Sequence, residues 1–219
     1  MSLFVTESEG CYYPTVLGTI LLIVLMLAVL ALGTFLRGRA GKKKISTRQM
    51  VYSAVAIALA FVTSNLKLFQ APMGGSVTLF SMFFITLIGY WYGLAGGLTA
   101  GFAYGILQLL IDPYIIGVPQ LLFDYIFAFG ALGLSGLFCN KKNGLVNGYL
   151  VGIFGRFVFS FLSGYIFFGM YAPEGMHPAA YAFLYNIAYI GIEGILTLIV
   201  LAIPAVRNAL AMVKTNAVS

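Results

Sequence analysis

The sequence predicts an all-α integral membrane protein that crosses the bilayer seven times. Three observations carry that reading. Of 219 residues, 61% are hydrophobic and 8% charged, where soluble domains carry roughly a quarter charged residues; the mean hydropathy is +1.00. Charge-free stretches recur at about the 20-residue length that spans a hydrocarbon core. Basic residues gather at alternate ends of those stretches, and acidic residues avoid the same ends.

The first span is Thr15–Leu36. Its N-terminal flank holds Glu7 and Glu9 and no Lys or Arg, which argues against a cleaved signal peptide. It reads as a retained helix with its N-terminus outside. The flank Arg37, Arg39, Lys42, Lys43, Lys44 and Arg48 is then cytoplasmic. Span two covers Gln49–Ser64. Leu68–Ile111 holds no charge over 44 residues, too long for one crossing, and Gly93, Gly96 and Gly97 mark a turn inside it. It divides into Thr78–Tyr92 and Leu94–Ile111. Span five is Val118–Phe138, followed by Lys141 and Lys142. Span six is Val146–Met170. Span seven is Ala180–Ala205, followed by Arg207 and Lys214.

Of the twelve Lys and Arg, ten flank the cytoplasmic ends; Lys67 lies outside and Arg156 within span six. Of the six acids, Glu7, Glu9, Asp112 and Glu174 are external, and Asp124 and Glu193 lie within spans. The net charge of +6 is therefore a topology signal and not a nucleic-acid patch. Cys11 and Cys139 fall on opposite sides of the bilayer and cannot pair. The single histidine, His177, gives no zinc cluster, and no cofactor or metal is expected.

Ionisable residues inside a span cost roughly 2.5–3.5 kcal/mol each to insert, so they are functional candidates. Asp124 follows Gln120 by four residues, on one helix face, with Tyr125 beside it. Tyr181, Tyr185, Tyr189 and Glu193 recur every four residues on span seven, with Asn186 at the border. Arg156, Ser160, Gly164 and Phe168 do the same on span six. These faces predict an outward-opening pocket of carboxylates, amides and aromatic rings, with Arg156 deeper. Such a lining suits a flat, partly cationic organic ligand. Other readings stand beside it. The tyrosines could form an interfacial belt, Asp124 and Arg156 a buried ion pair, and Ser160 a packing contact. No span carries a nucleophile–base pair, so an enzyme is not expected.

The segments Gly93–Gly101 with Tyr104-Gly105-Ile106-Leu107, Tyr114-Ile115 with Gln120, Leu122, Asp124 and Tyr125, Phe161–Gly164 with Phe167-Phe168 and Tyr171-Ala172, and Ala180-Tyr181-Ala182 with Asn186 resemble the thiamine-specific S components of energy-coupling factor (ECF) transporters, the YuaJ/ThiT family. The resemblance runs from about Gln49 to Val206. It implies a six-helix S-component bundle (49–206), preceded here by an extra N-terminal helix and basic loop (1–48) and followed by a cytoplasmic tail (207–219). It implies capture of thiamine from outside, with uptake driven by a transmembrane coupling subunit and two cytoplasmic ATPases. The chain itself has no Gly-x-x-x-x-Gly-Lys-Ser/Thr loop.

Carried over by position, Asp124 faces the cationic thiazolium, and Tyr114, Tyr181, Asn186 and Phe168 match ligand contacts. Gln120, Glu193, Tyr125 and Ser160 complete the expected substrate site. Gly74, Gly75 and Ser76 fall in the loop that closes over the ligand. Ala54 and Ala58, a small-xxx-small pair that permits close helix approach, fall where the coupling subunit docks; packing within the monomer is the alternative. Two positions depart from the family pattern: Ser160 stands where some members carry His, and Asp124 where some carry Glu. An S component for another vitamin or a thiamine precursor, and a structural membrane subunit, are the alternative functions.

Overall fold

The structure is a computed structural model that describes residues 5–8, 11–18, 20, 21, 24 and 45–219. The expected first span, Thr15–Leu36, and its basic flank lie for the most part outside the described residues. Strands β1 (Val5–Ser8) and β2 (Cys11–Pro14) form an antiparallel hairpin. Described residues 45–219 form a helical bundle with one small hairpin at its end.

Helix α1 (Thr47–Ser64) starts where the Ser46 hydroxyl accepts a hydrogen bond from the Gln49 amide at 3.1 Å, satisfying one of the orphan donors of a helix start. Ala56 and Ala60 are its buried face. Their small side chains let the neighbouring helix come close enough for Tyr104 Oη to donate to the Ala60 carbonyl at 3.0 Å. Strands β3 (Lys67–Gln70) and β4 (Ser76–Thr78) pair antiparallel around a turn at Pro72–Gly74.

Ser81–Ile111 is hydrogen-bonded as one stretch, α2, of 31 residues. Straight, it would run about 46 Å, well beyond a core of about 30 Å. It does not run straight. Gly93 adopts φ 78°, ψ −175°, a conformation open essentially to glycine alone, and the chain folds back on itself there. The reversal brings Gly97 against Gly89, where a Cβ on Gly97 would lie 2.8 Å from the Gly89 Cα. The two arms follow the division the glycines predict.

Helix α3 (Val118–Phe138) changes winding along its length: one α turn, a π turn at Leu122–Phe127, another α turn, then a 3₁₀ segment at Leu132–Phe138. The 3₁₀ segment lies in the crook of α2, where a Cβ on Gly133 would meet the Gly97 carbonyl carbon at 2.3 Å. Only bare backbone fits that crossing. Helix α4 (Gly144–Phe167) and helix α5 (Pro178–Ala202) close the bundle. His177 is the N-cap of α5, its Nδ1 accepting from the Ala179 amide at 3.2 Å. A second π turn, Ile187–Gly191, interrupts α5.

Helix α6 (Pro204–Val218) breaks away at Ile203 and crosses the opposite end of the bundle. Arg48 Nη1 donates to the Asn216 carbonyl and Tyr92 Oη to that of Ala217, at 3.3 and 3.2 Å. Lys214 donates to the Cys139 carbonyl and sits 3.7 Å from the Tyr90 ring centroid.

The bundle's polarity is that of a membrane protein. Its outward surface carries Phe154, Ile166, Ile195 and Ile199, each more than half exposed, while Gln120, Asn186, Thr197 and Glu193 are buried. Among the described residues, four helical stretches, α2 to α5, are long and apolar enough to cross a bilayer.

Candidate functional site: an aromatic cavity with an acidic wall

The cavity opens at the end of the bundle that carries β3, β4 and the 112–117 loop. It holds about 1090 Å³ of unfilled space, the open solvent at its mouth included. Lys67 and Asp112 sit at its mouth and form an ion pair there. That pair gives Lys67 a partner.

The acidic wall is the first part of α3. Gln120 Nε2 donates to Asp124 Oδ2 at 2.6 Å and to the Tyr114 carbonyl at 3.1 Å, while its Oε1 accepts from the Ile116 amide at 3.1 Å. Ser163 Oγ on α4 donates to the same Asp124 oxygen at 2.8 Å. One carboxylate oxygen is thus held twice; no described residue donates to Oδ1. Asp124 and Tyr125 both lie in the π turn, whose extra residue per turn is a frequent mark of functional sites. Tyr125 Oη accepts from the Tyr114 amide at 2.8 Å and donates to the Asp112 carbonyl at 3.0 Å, which fixes the loop that presents Tyr114.

Rings form the sides. Tyr114 and Phe168 lie 5.9 Å apart, tilted by 32°. Opposite them Tyr181, Tyr185 and Tyr189 form a ladder with centroid separations of 6.0 and 5.6 Å, since residues four apart share a helix face. Asn186 reaches across to α4, its Nδ2 donating to the Ser160 and Ala182 carbonyls at 3.2 and 2.9 Å, and its Oδ1 accepting from Tyr189 Oη at 2.8 Å. The floor is Phe129, with the Arg156 guanidinium 4.1 Å from its ring centroid, a cation–π contact.

The β3–β4 turn covers part of the mouth. Tyr185 Oη donates to the Pro72 carbonyl and accepts from the Gly75 amide at 2.9 Å. Met73 holds φ 61°, a left-handed conformation costly for a residue with a side chain, and its sulfur lies 3.6 Å from Tyr181 Oη.

A sequence profile described as "Thiamine transporter protein (Thia_YuaJ)" matches residues 50–213. The chain belongs to the Thia_YuaJ family. Among similar proteins is the thiamine transporter ThiT of Bacillus subtilis, 34% identical over 167 residues, covering 70% of this chain and 85% of that one. A second is the thiamine transporter ThiT of Lacticaseibacillus paracasei, 27% identical over 128 residues, 51% of this chain and 64% of that one. The solved structure of ThiT from Listeria monocytogenes superposes with a TM-score of 0.54 at 21% identity, covering 77% of this chain and 92% of that one. The fold is therefore the all-helical membrane fold of this family, and membership makes the chain a multi-pass transport protein and not an enzyme.

In this family member the cavity gathers Asp124, Tyr114, Tyr181, Asn186, Phe168, Gln120, Tyr125 and Ser160, together with Gly74, Gly75 and Ser76. Glu193 is not among the lining residues. It is buried directly behind the lining residues Thr78 and Ser81, its Oε2 accepting from Thr78 Oγ1 at 2.6 Å and its Oε1 from the Met82 amide at 3.0 Å and Ser81 Oγ at 3.2 Å. The four-residue stripe that placed it with the tyrosines assumes an unbroken α-helix, and the π turn changes the phase between Tyr185 and Glu193. Nor do Asp124 and Arg156 form an ion pair; among the described residues Lys67–Asp112 is the one such pair. Ser163, which holds Asp124, escaped the sequence reading because that reading followed only four-residue steps from Arg156. The three-residue step from Ser160 reaches it.

Proposed function

We propose that this chain is the substrate-binding membrane subunit of an ECF-type transporter, capturing thiamine from outside for ATP-driven uptake. The observation that carries the reading is Asp124: a carboxylate with one oxygen clamped by Gln120 and Ser163 and the other uncommitted, in an aromatic-walled cavity. A cationic aromatic ring stacked between Tyr114, Phe168 and the tyrosine ladder gains cation–π attraction and a counter-charge together. The names of the B. subtilis and L. paracasei relatives support thiamine as that cation.

Within this reading Tyr181, Asn186, Ser160 and Tyr125 shape the remaining contacts, and Gln120 holds Asp124 in aim. Gly74, Gly75 and Ser76 form the lid that Tyr185 latches. Glu193 acts from behind, fixing β4 and the start of α2. The N-terminus lies outside and the C-terminus in the cytoplasm, as the distribution of Lys and Arg directs. The chain lacks a phosphate-binding loop, so a coupling subunit and two ATPases supply the energy. Ala54 and Ala58 lie on the exposed face of α1, opposite buried Ala56 and Ala60, which favours docking of the coupling subunit there over packing within the monomer.

The test is titration of the purified protein with thiamine, followed by quenching of aromatic fluorescence. Saturable binding, with the pyrimidine and thiazole halves competing more weakly than the whole vitamin, is expected. Absence of thiamine binding alongside tight binding of either half alone would move the substrate to a precursor.

A further inference from the structure

Helix α6 is not a span. Its 15 residues rise about 22 Å, short of a hydrocarbon core of about 30 Å. It leaves the line of α5 at Ile203, where ψ is 117°, and Pro204 opens the new helix at a position that needs no amide. One face packs on the bundle through Val206, Leu210, Val213 and buried Ala217. The flank beside that face is of another kind. Arg207, Lys214 and Val218 follow at steps of seven and four residues, so they form one row along the helix. Lys214 donates to the Cys139 carbonyl, which sets this row against the loop between α3 and α4, with Lys141 and Lys142. Arg207, Lys141 and Lys142 are exposed, and none forms an ion pair among the described residues. No acid of the described bundle is near enough to offer one. Asp112 and Glu174 lie in loops at the mouth end, and Asp124 and Glu193 lie within α3 and α5. Between these cations the apolar side chains of Ile203 and Val218 stand 48% and 56% exposed.

We propose that this flank of α6 and the α3–α4 loop form a binding site for the headgroup of an anionic phospholipid, with Arg207, Lys141 and Lys142 on the phosphate and Ile203 and Val218 against the first carbons of the acyl chains. Cations and apolar side chains alternate along a helix that crosses the end of the bundle, at the level where a bilayer offers phosphate and hydrocarbon side by side. Arg and Lys suit that level, since their apolar stems lie in hydrocarbon while their charges reach the headgroups. An anionic leaflet supplies the negative charge that the chain withholds at this end. The orientation proposed above turns the site to the cytoplasmic leaflet, the negatively charged one. A lipid held there braces the reversal of α2 at Gly93, because the last turn of α6 also accepts a hydrogen bond from Tyr92, at the Ala217 carbonyl.

The chain carries its own reporter. Trp91 is its single tryptophan and sits at this end of the bundle, next to Tyr92 and with its ring centroid 6.0 Å from that of Tyr52 on α1. The intact chain is placed in phosphatidylcholine vesicles that hold a small fraction of either dibrominated phosphatidylglycerol or dibrominated phosphatidylcholine, and quenching of Trp91 is compared. Wild type should favour phosphatidylglycerol by about 20-fold, each basic residue at an anionic surface being worth about fivefold. Arg207→Gln and Lys142→Gln should each reduce that preference about fivefold, and the double variant should show almost none. Both positions are exposed, so the melting temperature in phosphatidylcholine should not move. Lys67→Gln removes the same charge at the mouth end and should leave the preference intact. The number of phosphatidylglycerol molecules retained through detergent, counted by native mass spectrometry, decides the matter in the same way if the bromines do not reach Trp91. Equal association with both lipids would overturn the proposal and leave the flank to a protein partner. A preference that survives the double variant would place the lipid elsewhere on the chain and overturn it as well. So would displacement of phosphatidylglycerol by millimolar inorganic phosphate, which would mark a site for a free anion.

Discussion

Two carboxylates within the helical bundle, 69 positions apart in the sequence, show what separates a binding group from a structural one. Glu193 is 3% exposed and both its oxygens are engaged: Thr78 on one, Ser81 and the Met82 amide on the other. It joins α5 to β4 and the start of α2, and neither oxygen is without a protein donor. Asp124, a residue of the cavity wall, is held by Gln120 and Ser163 on a single oxygen, and no described residue donates to the other. Both are intramembrane acids and both satisfy the rule that such residues have a purpose. Charge alone does not tell their purposes apart; an oxygen left without a protein donor does.

That contrast is open to experiment. The largest effect is expected from Glu193→Ala. It strips partners from three buried donors and should lower stability by about 3–5 kcal/mol, read as a fall in melting temperature in detergent, with thiamine affinity of the surviving folded fraction nearly unchanged. A large affinity loss at intact stability would erase the distinction. Asp124→Asn should do the reverse, weakening thiamine at least about tenfold, which corresponds to about 1.4 kcal/mol or more, while ligand-free stability holds or improves. Tyr185→Phe removes the hydroxyl that latches Pro72 and Gly75. Stopped-flow release should be several-fold faster, with about 1–2 kcal/mol lost for the missing bonds. An unaltered release rate would mean that the β3–β4 turn is no lid. Lys67→Ala should matter least: the ion pair with Asp112 is solvent-exposed, and such pairs contribute about 0–1 kcal/mol. A strong loss of binding there would give the mouth a role that the account assigns to the wall.

The sequence conveyed the architecture where physics is local. Charge placement marked the helix ends, and the run Leu68–Ile111 had to reverse because no bilayer is that thick; Gly93 is where it does. The Gln120–Asp124 pair was legible because four residues span one turn. What stayed hidden was non-local or depended on irregular winding. The partners of Glu193 are more than 110 positions away, and a π turn at Ile187–Gly191 leaves no mark in residue type. The β3–β4 hairpin was not foreseen as strands, since each is four residues or fewer and the turn between them is tied to Tyr185, more than 100 positions away.

The central claim is that the cavity binds thiamine through the uncommitted oxygen of Asp124. The most direct test is a side-by-side titration of wild-type, Asp124→Asn and Glu193→Gln protein with thiamine, each checked for folding by its melting curve. The account predicts saturable binding in wild type, a loss of about tenfold or more in Asp124→Asn at unchanged stability, and near wild-type affinity in folded Glu193→Gln. Equal affinity in Asp124→Asn and wild type, or loss in Glu193→Gln alone, would contradict it.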